Sequence, residues 1–209
     1  MSGPTNPLHT PLSRRGFLKG AAITAAAAEG LMVHSPAAHA APVLDPSAPI
    51  SGNTTISLKV NGQARSVEVE PRTTLLTALR DHLEPPVTGP KLVCNAGTCG
   101  ACTVLLDGKN VYGCSVLAID CVGKTITTVE GIDTPDKPSP VQKAFLECDG
   151  MMCGYCTSGF VTTITHLLNK NADPTLPEIK EACKGNFCRC GTYPHVFQSA
   201  QTAAKIAKA

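Results

Sequence analysis

Eight of the eleven cysteines in the chain fall into two groups of four. The first group is Cys94, Cys99, Cys102 and Cys114, and the second is Cys153, Cys156, Cys188 and Cys190. The first three cysteines are separated by gaps of four and two residues, which is the plant-type spacing of a 2Fe–2S ligand loop. Each group supplies four thiolates, the number that such a cluster takes. The sequence therefore predicts two 2Fe–2S clusters and a function in electron transfer.

Zinc and disulfide bonds are the two alternatives for so many thiols. Structural zinc sites usually pair two short-spaced knuckles, whereas three cysteines of the first group lie within the single loop 94–102. Disulfides would suit an exported chain, because export leads to an oxidising compartment. A chain exported in the folded state can, however, carry a cofactor that was inserted in the cytoplasm. A structural metal or disulfide module without a redox role thus stays an open alternative.

The first forty residues have the features of an export signal. Arg14 and Arg15 precede an apolar stretch that runs to about Val33, and small residues suit cleavage after Ala40. Twin arginines are typical of the Tat route. We expect residues 1–40 to be a Tat signal peptide, residues 41–52 to be a linker, and the mature chain to reach the periplasm.

The charge of the mature chain is balanced. The full sequence has a formal net charge of +2, and residues 1–40 contain three basic residues and one acidic residue, so the remainder is neutral. Such a balance does not favour nucleic acid or an anionic membrane as a partner. The apolar stretch of the signal is interrupted by polar residues, which makes it a weak candidate for a membrane span. In the mature chain we expect no membrane span.

The segment 53–130 has the pattern of a small α+β domain. Apolar residues alternate from Ile56 to Val60 and resume after the tight-turn pair Asn61-Gly62, which predicts a β-hairpin. Leucines recur at helical spacing between Thr74 and Leu83, which predicts an amphipathic α-helix. Further strands are predicted at Thr103–Leu106 and Thr125–Val129.

The segment 131–209 has a helical pattern throughout. Four short helices are predicted: Val141 to Glu147, a second beyond Cys156, a third from Pro177 to about Lys184, and a fourth after Pro194. Cys156 falls at the start of the second helix, where the dipole and free N–H groups favour an anionic cluster. Cys188 and Cys190 fall in the turn between the third and fourth helices. A small bundle could bring all four cysteines together.

Three motifs carry a resemblance to a known family. They are Gly100-Ala101-Cys102-Thr103-Val104, Cys153-Gly154-Tyr155-Cys156-Thr157 and Gly185-Asn186-Phe187-Cys188-Arg189-Cys190. Over residues 53–205 the chain resembles the iron–sulfur subunit of the xanthine oxidase family of molybdenum hydroxylases. Residues 188–194 are similar to the branch typified by isoquinoline oxidoreductase, and the Tat signal is similar to that of periplasmic aldehyde oxidoreductases. The resemblance implies a ferredoxin-like β-grasp domain followed by a four-helix bundle, each holding a 2Fe–2S cluster.

The resemblance also implies the partners and the direction of electron flow. A large partner subunit would bind a molybdopterin cofactor and oxidise aldehydes or N-heterocycles, while this chain alone would not turn over substrate. Electrons would pass to the helical cluster, then to the ferredoxin-like cluster, and on to a cytochrome, a flavin subunit or another acceptor. Cys190 would contact the pterin. Met152 stands where relatives commonly have a glutamine that also bonds the pterin, and its thioether cannot donate such a bond.

The sequence leaves open whether the chain works within a hydroxylase and what its three remaining cysteines do. A free-standing two-cluster electron carrier is the alternative to the hydroxylase subunit. The remaining cysteines, Cys121, Cys148 and Cys183, match no ligand position, and we expect them to behave as small apolar residues.

Overall fold

The structure is a computed structural model that describes residues 51–133 and 136–208. The predicted export signal and the linker up to residue 50 lie outside the described residues. Within the described ranges, every helix is too short or too polar to cross a membrane.

The first two strands form the expected hairpin. β1 (Thr54–Val60) and β2 (Gln63–Val69) pair antiparallel, with Val60 opposite Gln63. The connecting residues Asn61 and Gly62 have φ of 50° and 82°, which is the two-residue turn that an Asn-Gly pair favours.

The predicted α-helix from Thr74 to Leu83 is only partly α-helical. α1 (Leu75–Thr77) begins where the Thr74 side chain accepts a hydrogen bond from the Thr77 N–H. The next five residues, Ala78–His82, form a π-helix instead.

The π-helix follows from a competition for one carbonyl. The Leu79 carbonyl accepts a hydrogen bond from the Val87 N–H at 2.8 Å. Leu83, which would bond Leu79 in an α-helix, instead donates to the Ala78 carbonyl at 3.1 Å. The contact with Val87 comes from the following loop, so the leucine periodicity alone could not reveal it.

Three further strands complete the sheet of the described residues. β3 (Thr103–Leu106) pairs antiparallel with β4 (Lys109–Tyr112) and with β5 (Thr125–Thr127), and β5 lies parallel to β1. The strand order is β2-β1-β5-β3-β4. β4 was not predicted from the sequence, although the turn pair Asp107-Gly108 before it is a hairpin signal.

The last strand is shorter than predicted. The expected strand Thr125–Val129 ends at Thr127, and Val129–Gly131 forms a 3₁₀ turn. The reason lies in Asn61, whose Oδ1 accepts from the Thr128 N–H at 2.9 Å. A side chain thus takes the backbone group that would have continued the ladder.

Four helices follow, as predicted, and their ends differ from the predicted ones by a few residues. They are α2 (Pro140–Glu147), α3 (Thr157–Lys170), α4 (Leu176–Cys183) and α5 (Tyr193–Ile206). α2 and α4 each begin with a capping box, formed by Ser139 with Gln142 and by Thr175 with Glu178. The expected α+β architecture, a ferredoxin-like β-grasp domain followed by a four-helix bundle, is confirmed.

Each half of the chain has its own hydrophobic core. One core joins the sheet to the π-helix and includes Ile56, Leu58, Leu79 and Ile126. The other lies inside the bundle and includes Phe145, Phe160, Ile164 and Ile179. The cysteine groups lie beside these cores, where the two halves meet.

Candidate iron–sulfur sites

The first cysteine group is assembled by the pairing of β3 with β4. Thr103 lies opposite Tyr112 in this ladder, so Cys102 just before β3 and Cys114 just after β4 are brought together. Their sulfur atoms lie 3.4 Å apart, and both residues are buried. Because two strands hold this pair, its geometry is set by the sheet rather than by the loop.

The loop 94–102 supplies the other two thiols of this group. Cys94 and Cys99 are hydrogen-bonded to each other through their side chains. The loop also points backbone N–H groups at sulfur: Ala96 donates to the Cys94 Sγ at 3.4 Å, and Gly97 donates to the Cys114 Sγ at 3.3 Å. Such N–H donors stabilise a thiolate or a sulfur-bound cluster.

The ionisation of these thiols reflects the same contacts. Burial opposes ionisation of Cys94, but hydrogen bonds from the backbone of Ala96 and Thr98 lower the pKa of this thiol to about 6. Burial raises the pKa of the Cys102 thiol to about 12. The loop therefore favours thiolate at its outer end, whereas the inner pair is kept from water.

The second group lies at the start of α3 and in the turn before α5. Cys156 is the N-cap of α3, as predicted, and its thiol is hydrogen-bonded to that of Cys188. Cys153 and Cys190 form a second side-chain hydrogen bond. The Cys188 Sγ also lies 2.8 Å from the Thr192 Oγ1, a hydroxyl that can donate to a thiolate.

The two thiols that α3 and the turn bring together have opposite pKa shifts. Burial raises the pKa of Cys156 to about 12, and the neighbouring Cys188 raises it further. For Cys188, burial is outweighed by hydrogen bonds from the side chain and backbone of Thr192, which lower the pKa to about 7. In this contact Cys156 is therefore the hydrogen donor and Cys188 the acceptor.

Both groups have a donor set that fits a two-iron cluster. In each, the four thiols form two contacting pairs, and charge interactions connect the pairs. Across the described residues, no three His, Cys, Asp or Glu side chains are arranged around a point that would hold a single metal ion. Two contacting pairs of thiols suit a 2Fe–2S group, which takes four cysteines.

The two sites differ in their exposure to solvent. Cys102 and Cys114 of the first site are buried, whereas Cys153 and Cys190 of the second are exposed. Exposed large apolar side chains accompany the second site: Met151, Met152 and Tyr155 are neighbours of its cysteines in the chain, and Val93 and Phe187 line a pocket with Cys153 and Cys156. Met152 is the most open of them at 69%. The second site thus lies at an apolar part of the surface.

A direct backbone contact joins the two sites. The Phe187 N–H donates to the Cys99 carbonyl at 2.9 Å, so a residue adjacent to Cys188 bonds a cysteine of the first site. A pocket of about 280 Å³ beside this contact has Cys99 on one side and Cys153 and Cys156 on the other. We refer to the contact of residues 99–101 and Tyr112 with residues 158–163 and 185–187 as the seam.

Glycines allow the close approach at the seam. A Cβ on Gly100, whose φ is +69°, would lie 2.5 Å from the Gly185 carbonyl oxygen. A Cβ on Gly159 would overlap the Gly100 carbonyl oxygen. Any side chain at either position would therefore force the two halves apart.

The polar residues of the seam were not predicted from the sequence. The Asn186 Nδ2 donates to the Gly100 carbonyl at 3.1 Å, and the Thr163 Oγ1 donates to the Asn186 Oδ1 at 3.0 Å. The Ser158 Oγ lies 3.5 Å from the Ala101 carbonyl, and the Tyr112 hydroxyl donates to the Gly185 carbonyl at 3.2 Å. Asn186 is close to the cysteine motif in the chain, but nothing in its local pattern indicates a partner near residue 100.

The other three cysteines lie away from both sites. Cys121 is in the core of the first half, where its Sγ donates to the Leu117 carbonyl at 3.4 Å. Cys183 is in the core of the bundle, and the Cys148 Sγ donates to the Thr202 hydroxyl. All eleven cysteines belong to the described part of the chain and are free thiols.

The fold and its two four-thiol sites define a two-domain iron–sulfur protein. A 2Fe-2S iron-sulfur cluster binding domain matches residues 58–122, and a second 2Fe-2S binding domain matches residues 128–201.

Similar proteins are known from several bacteria. The chain is 39% identical to the aldehyde oxidoreductase iron-sulfur-binding subunit PaoA of Escherichia coli O157:H7, over 97% of this chain and 92% of the relative. It is 43% identical to the nicotinate dehydrogenase small FeS subunit of Eubacterium barkeri, over 72% of this chain and 95% of the relative.

Solved structures share the fold. A chain of quinoline 2-oxidoreductase from Pseudomonas putida 86 superposes with a TM-score of 0.71 at 36% identity, covering 76% of this chain and 98% of that one. The aldehyde oxidoreductase of Desulfovibrio gigas gives a TM-score of 0.69 at 34% identity, and the match covers 74% of this chain and 17% of that longer one.

The chain belongs to the 2Fe–2S subunits of the xanthine oxidase family. It is the iron–sulfur subunit of an oxidoreductase, with two 2Fe–2S binding domains and a role in electron transfer rather than in substrate oxidation.

Proposed function

We propose that the chain carries electrons from a molybdopterin centre on a large partner subunit, through two 2Fe–2S clusters, to an external acceptor. The substrates of the assembly would be aldehydes or N-heterocycles. The observation that carries the proposal is the pair of four-thiol sites joined by the Phe187–Cys99 hydrogen bond. The names of the relatives, which include aldehyde, nicotinate and quinoline oxidoreductases, support the substrate classes.

We assign one cluster to each cysteine group. The ligands of the ferredoxin-like cluster are Cys94, Cys99, Cys102 and Cys114, and those of the helical cluster are Cys153, Cys156, Cys188 and Cys190. The pairing of the thiols supports this assignment, because each group offers two pairs to two irons. When bound, each cluster would supply a centre that accepts and releases an electron.

Residues of the chain set the environment of each cluster. At the first site, the N–H groups of Ala96 and Gly97 donate to sulfur and so favour negative charge there. At the second site, the N-terminus of α3 and the Thr192 hydroxyl have the same effect. Burial of Cys102 and Cys114 at the first site, and of Cys188 at the second, limits the access of water to the inner side of each centre.

The helical site is the proposed point of electron entry. Its cysteines Cys153 and Cys190 are exposed at an apolar surface, which a partner subunit could cover and desolvate. Cys190 is the residue proposed to contact the pterin. Met152 lies on the same surface and would contribute apolar contact there, since its thioether has no hydrogen to donate.

The ferredoxin-like site is the proposed point of exit. A cytochrome, a flavin subunit or another carrier would accept the electrons, and the exposed Leu92, two residues before Cys94, would give such a carrier an apolar contact. The direction from the second site to the first follows from the entry point.

Reduction by substrate tests this function. The purified holo-chain should contain four irons and four sulfides, bleach with dithionite and stay oxidised with aldehydes or N-heterocycles. Adding the molybdopterin-binding subunit should make the same clusters reducible by substrate, the helical cluster first. Bleaching of the isolated chain by an aldehyde would contradict a role as a non-catalytic subunit. A chain that co-purifies with no large subunit, yet exchanges electrons with small redox proteins, would instead be a free-standing carrier.

We further propose that the chain is exported to the periplasm by the Tat route. Arg14 and Arg15 before an apolar stretch support this, and export in the folded state is compatible with clusters inserted in the cytoplasm. Changing both arginines to lysine should leave a folded, cluster-bearing protein in the cytoplasm. Unchanged export of the double variant would show that these arginines are not the signal.

A further inference from the structure

The side chain of Asn186 is buried between the two cysteine sites. Only 5% of the residue is exposed, and its amide is used at both ends: Nδ2 donates to the Gly100 carbonyl, and Oδ1 accepts from the Thr163 hydroxyl. Its own N–H donates to the Cys183 carbonyl at 2.9 Å, which fixes the backbone of the turn. Asn186 is therefore fixed to α3, to the end of α4 and to the loop of the first site.

Asn186 acts on the peptide groups that connect the sites. The Gly100 nitrogen belongs to the same peptide unit as the Cys99 carbonyl, and the Gly100 carbonyl belongs to the next peptide unit. Phe187 directly follows Asn186. Holding the Gly100 carbonyl against the Asn186 amide thus aligns the neighbouring Cys99 carbonyl with the Phe187 N–H. The bond between these two groups is 2.9 Å long and gives a route from Cys99 to Cys188 with a single non-covalent step.

We propose that Asn186, oriented by Thr163, is a positioning residue that maintains the Phe187–Cys99 hydrogen bond and thereby sets the electronic coupling between the two cluster sites. The inference rests on the proposed function, because it requires a cluster at each cysteine group. It assigns to Asn186 a role separate from binding iron, because the proposed ligands are all cysteine thiolates.

The chemistry of the site explains why an asparagine is needed here. An aliphatic side chain of equal size would leave the Thr163 hydroxyl without its acceptor in a buried position, which is costly. An aspartate would face the Gly100 carbonyl with a second acceptor and repel it. Of these three side chains, only the amide offers a donor to one partner and an acceptor to the other.

Three variants of the holo-chain test the proposal. Asn186→Ala removes both contacts, and Thr163→Val removes only the one that orients the amide. Thr162→Val is the matched control, because Thr162 is a buried neighbour on the same helix whose hydroxyl donates to the Ser158 carbonyl within α3. Iron content, the magnetic splitting between the two reduced clusters, and hydrogen exchange in peptides covering residues 185–191 would be measured for each.

The expected result is a selective loss of coupling. Asn186→Ala should retain four irons but show a reduced magnetic splitting and roughly tenfold faster hydrogen exchange in the turn, as expected for the loss of a buried hydrogen bond. Thr163→Val should change the magnetic splitting and the hydrogen exchange in the same direction but by less. Thr162→Val should leave both the splitting and the hydrogen exchange unchanged.

Two outcomes would overturn the inference, and both differ from failure of the proposed function. Unchanged splitting and hydrogen exchange in Asn186→Ala with both clusters present would show that Asn186 does not position the connection. An equal change in Thr162→Val and Thr163→Val would show a general packing effect. If Asn186→Ala fails to fold, the comparison of the two threonine variants decides. A wild-type chain without two clusters would instead refute the proposed function itself.

Discussion

Substitution of three glycines by alanine would measure how closely the two halves of the chain must approach. Gly100 and Gly108 both have positive φ, +69° and +75°, but a Cβ on Gly108 would meet nothing within 4 Å. Gly159 lies inside α3, where alanine is the preferred residue, yet its Cβ would overlap the Gly100 carbonyl oxygen. The three positions thus separate backbone strain from crowding at the seam.

The expected magnitudes follow from these two effects. At Gly108 only the left-handed backbone opposes alanine, at roughly 1–2 kcal/mol. At Gly100 crowding adds about 1–3 kcal/mol, and displacement of the Asn186 amide adds about 1 kcal/mol. At Gly159 the same crowding of about 1–3 kcal/mol is partly offset by the helix preference of alanine, about 1 kcal/mol, so the net destabilisation is roughly 0–2 kcal/mol.

The assay is thermal unfolding of the holo-chain, followed by far-UV circular dichroism and by the visible absorbance of the clusters. Gly100→Ala should unfold roughly 5–15 °C below Gly108→Ala, given the usual relation between free energy and midpoint for a chain of this size. Equal midpoints for these two variants would refute the tight seam. So would a rise in stability for Gly159→Ala, which is the expected sign for a helical glycine in open space.

Three further predictions concern the sites and the helical half. Cys99→Ser and Cys156→Ser should each remove one cluster in iron analysis, whereas Cys121→Ser should keep both and reduce stability by ~1–2 kcal/mol; equal iron loss would contradict the assignment. A chelator should remove iron from the exposed helical site before the buried site, as followed by their separate paramagnetic signals, and the reverse order would contradict the burial argument. Hydrogen bonds from Thr175 lower the pKa of Glu178 below its ordinary 4.5, so the charged capping box stabilises α4 above pH 4.5 and less as the pH falls below it. Glu178→Ala should therefore lower the unfolding midpoint at pH 7, with a difference from wild type that narrows below pH 4.5; a difference independent of pH would rule out the charge as its cause.

Local patterns were sufficient to predict most of the elements. The hairpin was predicted from alternating apolar residues and the Asn61-Gly62 turn, and α3 from the helical spacing of apolar residues beyond Cys156, because both signals lie within the structure they form. The spacing of the first three cysteines likewise predicted a loop around a metal group. That these particular thiols ligate iron stays a prediction.

Long-range contacts account for the features that the sequence did not predict. The π-helix depends on Val87, which bonds the Leu79 carbonyl, and β5 ends early because Asn61 takes the Thr128 N–H. The partner in each case is distant in sequence or lies beyond the periodic segment. Hydrophobic periodicity reports which side of an element is buried, but it does not report which polar group competes for a particular carbonyl.

The seam shows why the order of the sites in the chain differs from the proposed order of electron flow. The first site is built on the sheet and is largely buried, while the second lies in turns of the bundle and exposes two of its thiols. In the proposed function, electrons from a partner would therefore enter at the second site, and the hydrogen bond between Phe187 and Cys99 would connect that site to the first. That bond depends on close backbone contact, which glycine at positions 100 and 159 permits. The same residues that join the two halves of the fold would thus define the proposed path between the two clusters, so a change that loosens the seam should weaken electron transfer before it removes either cluster.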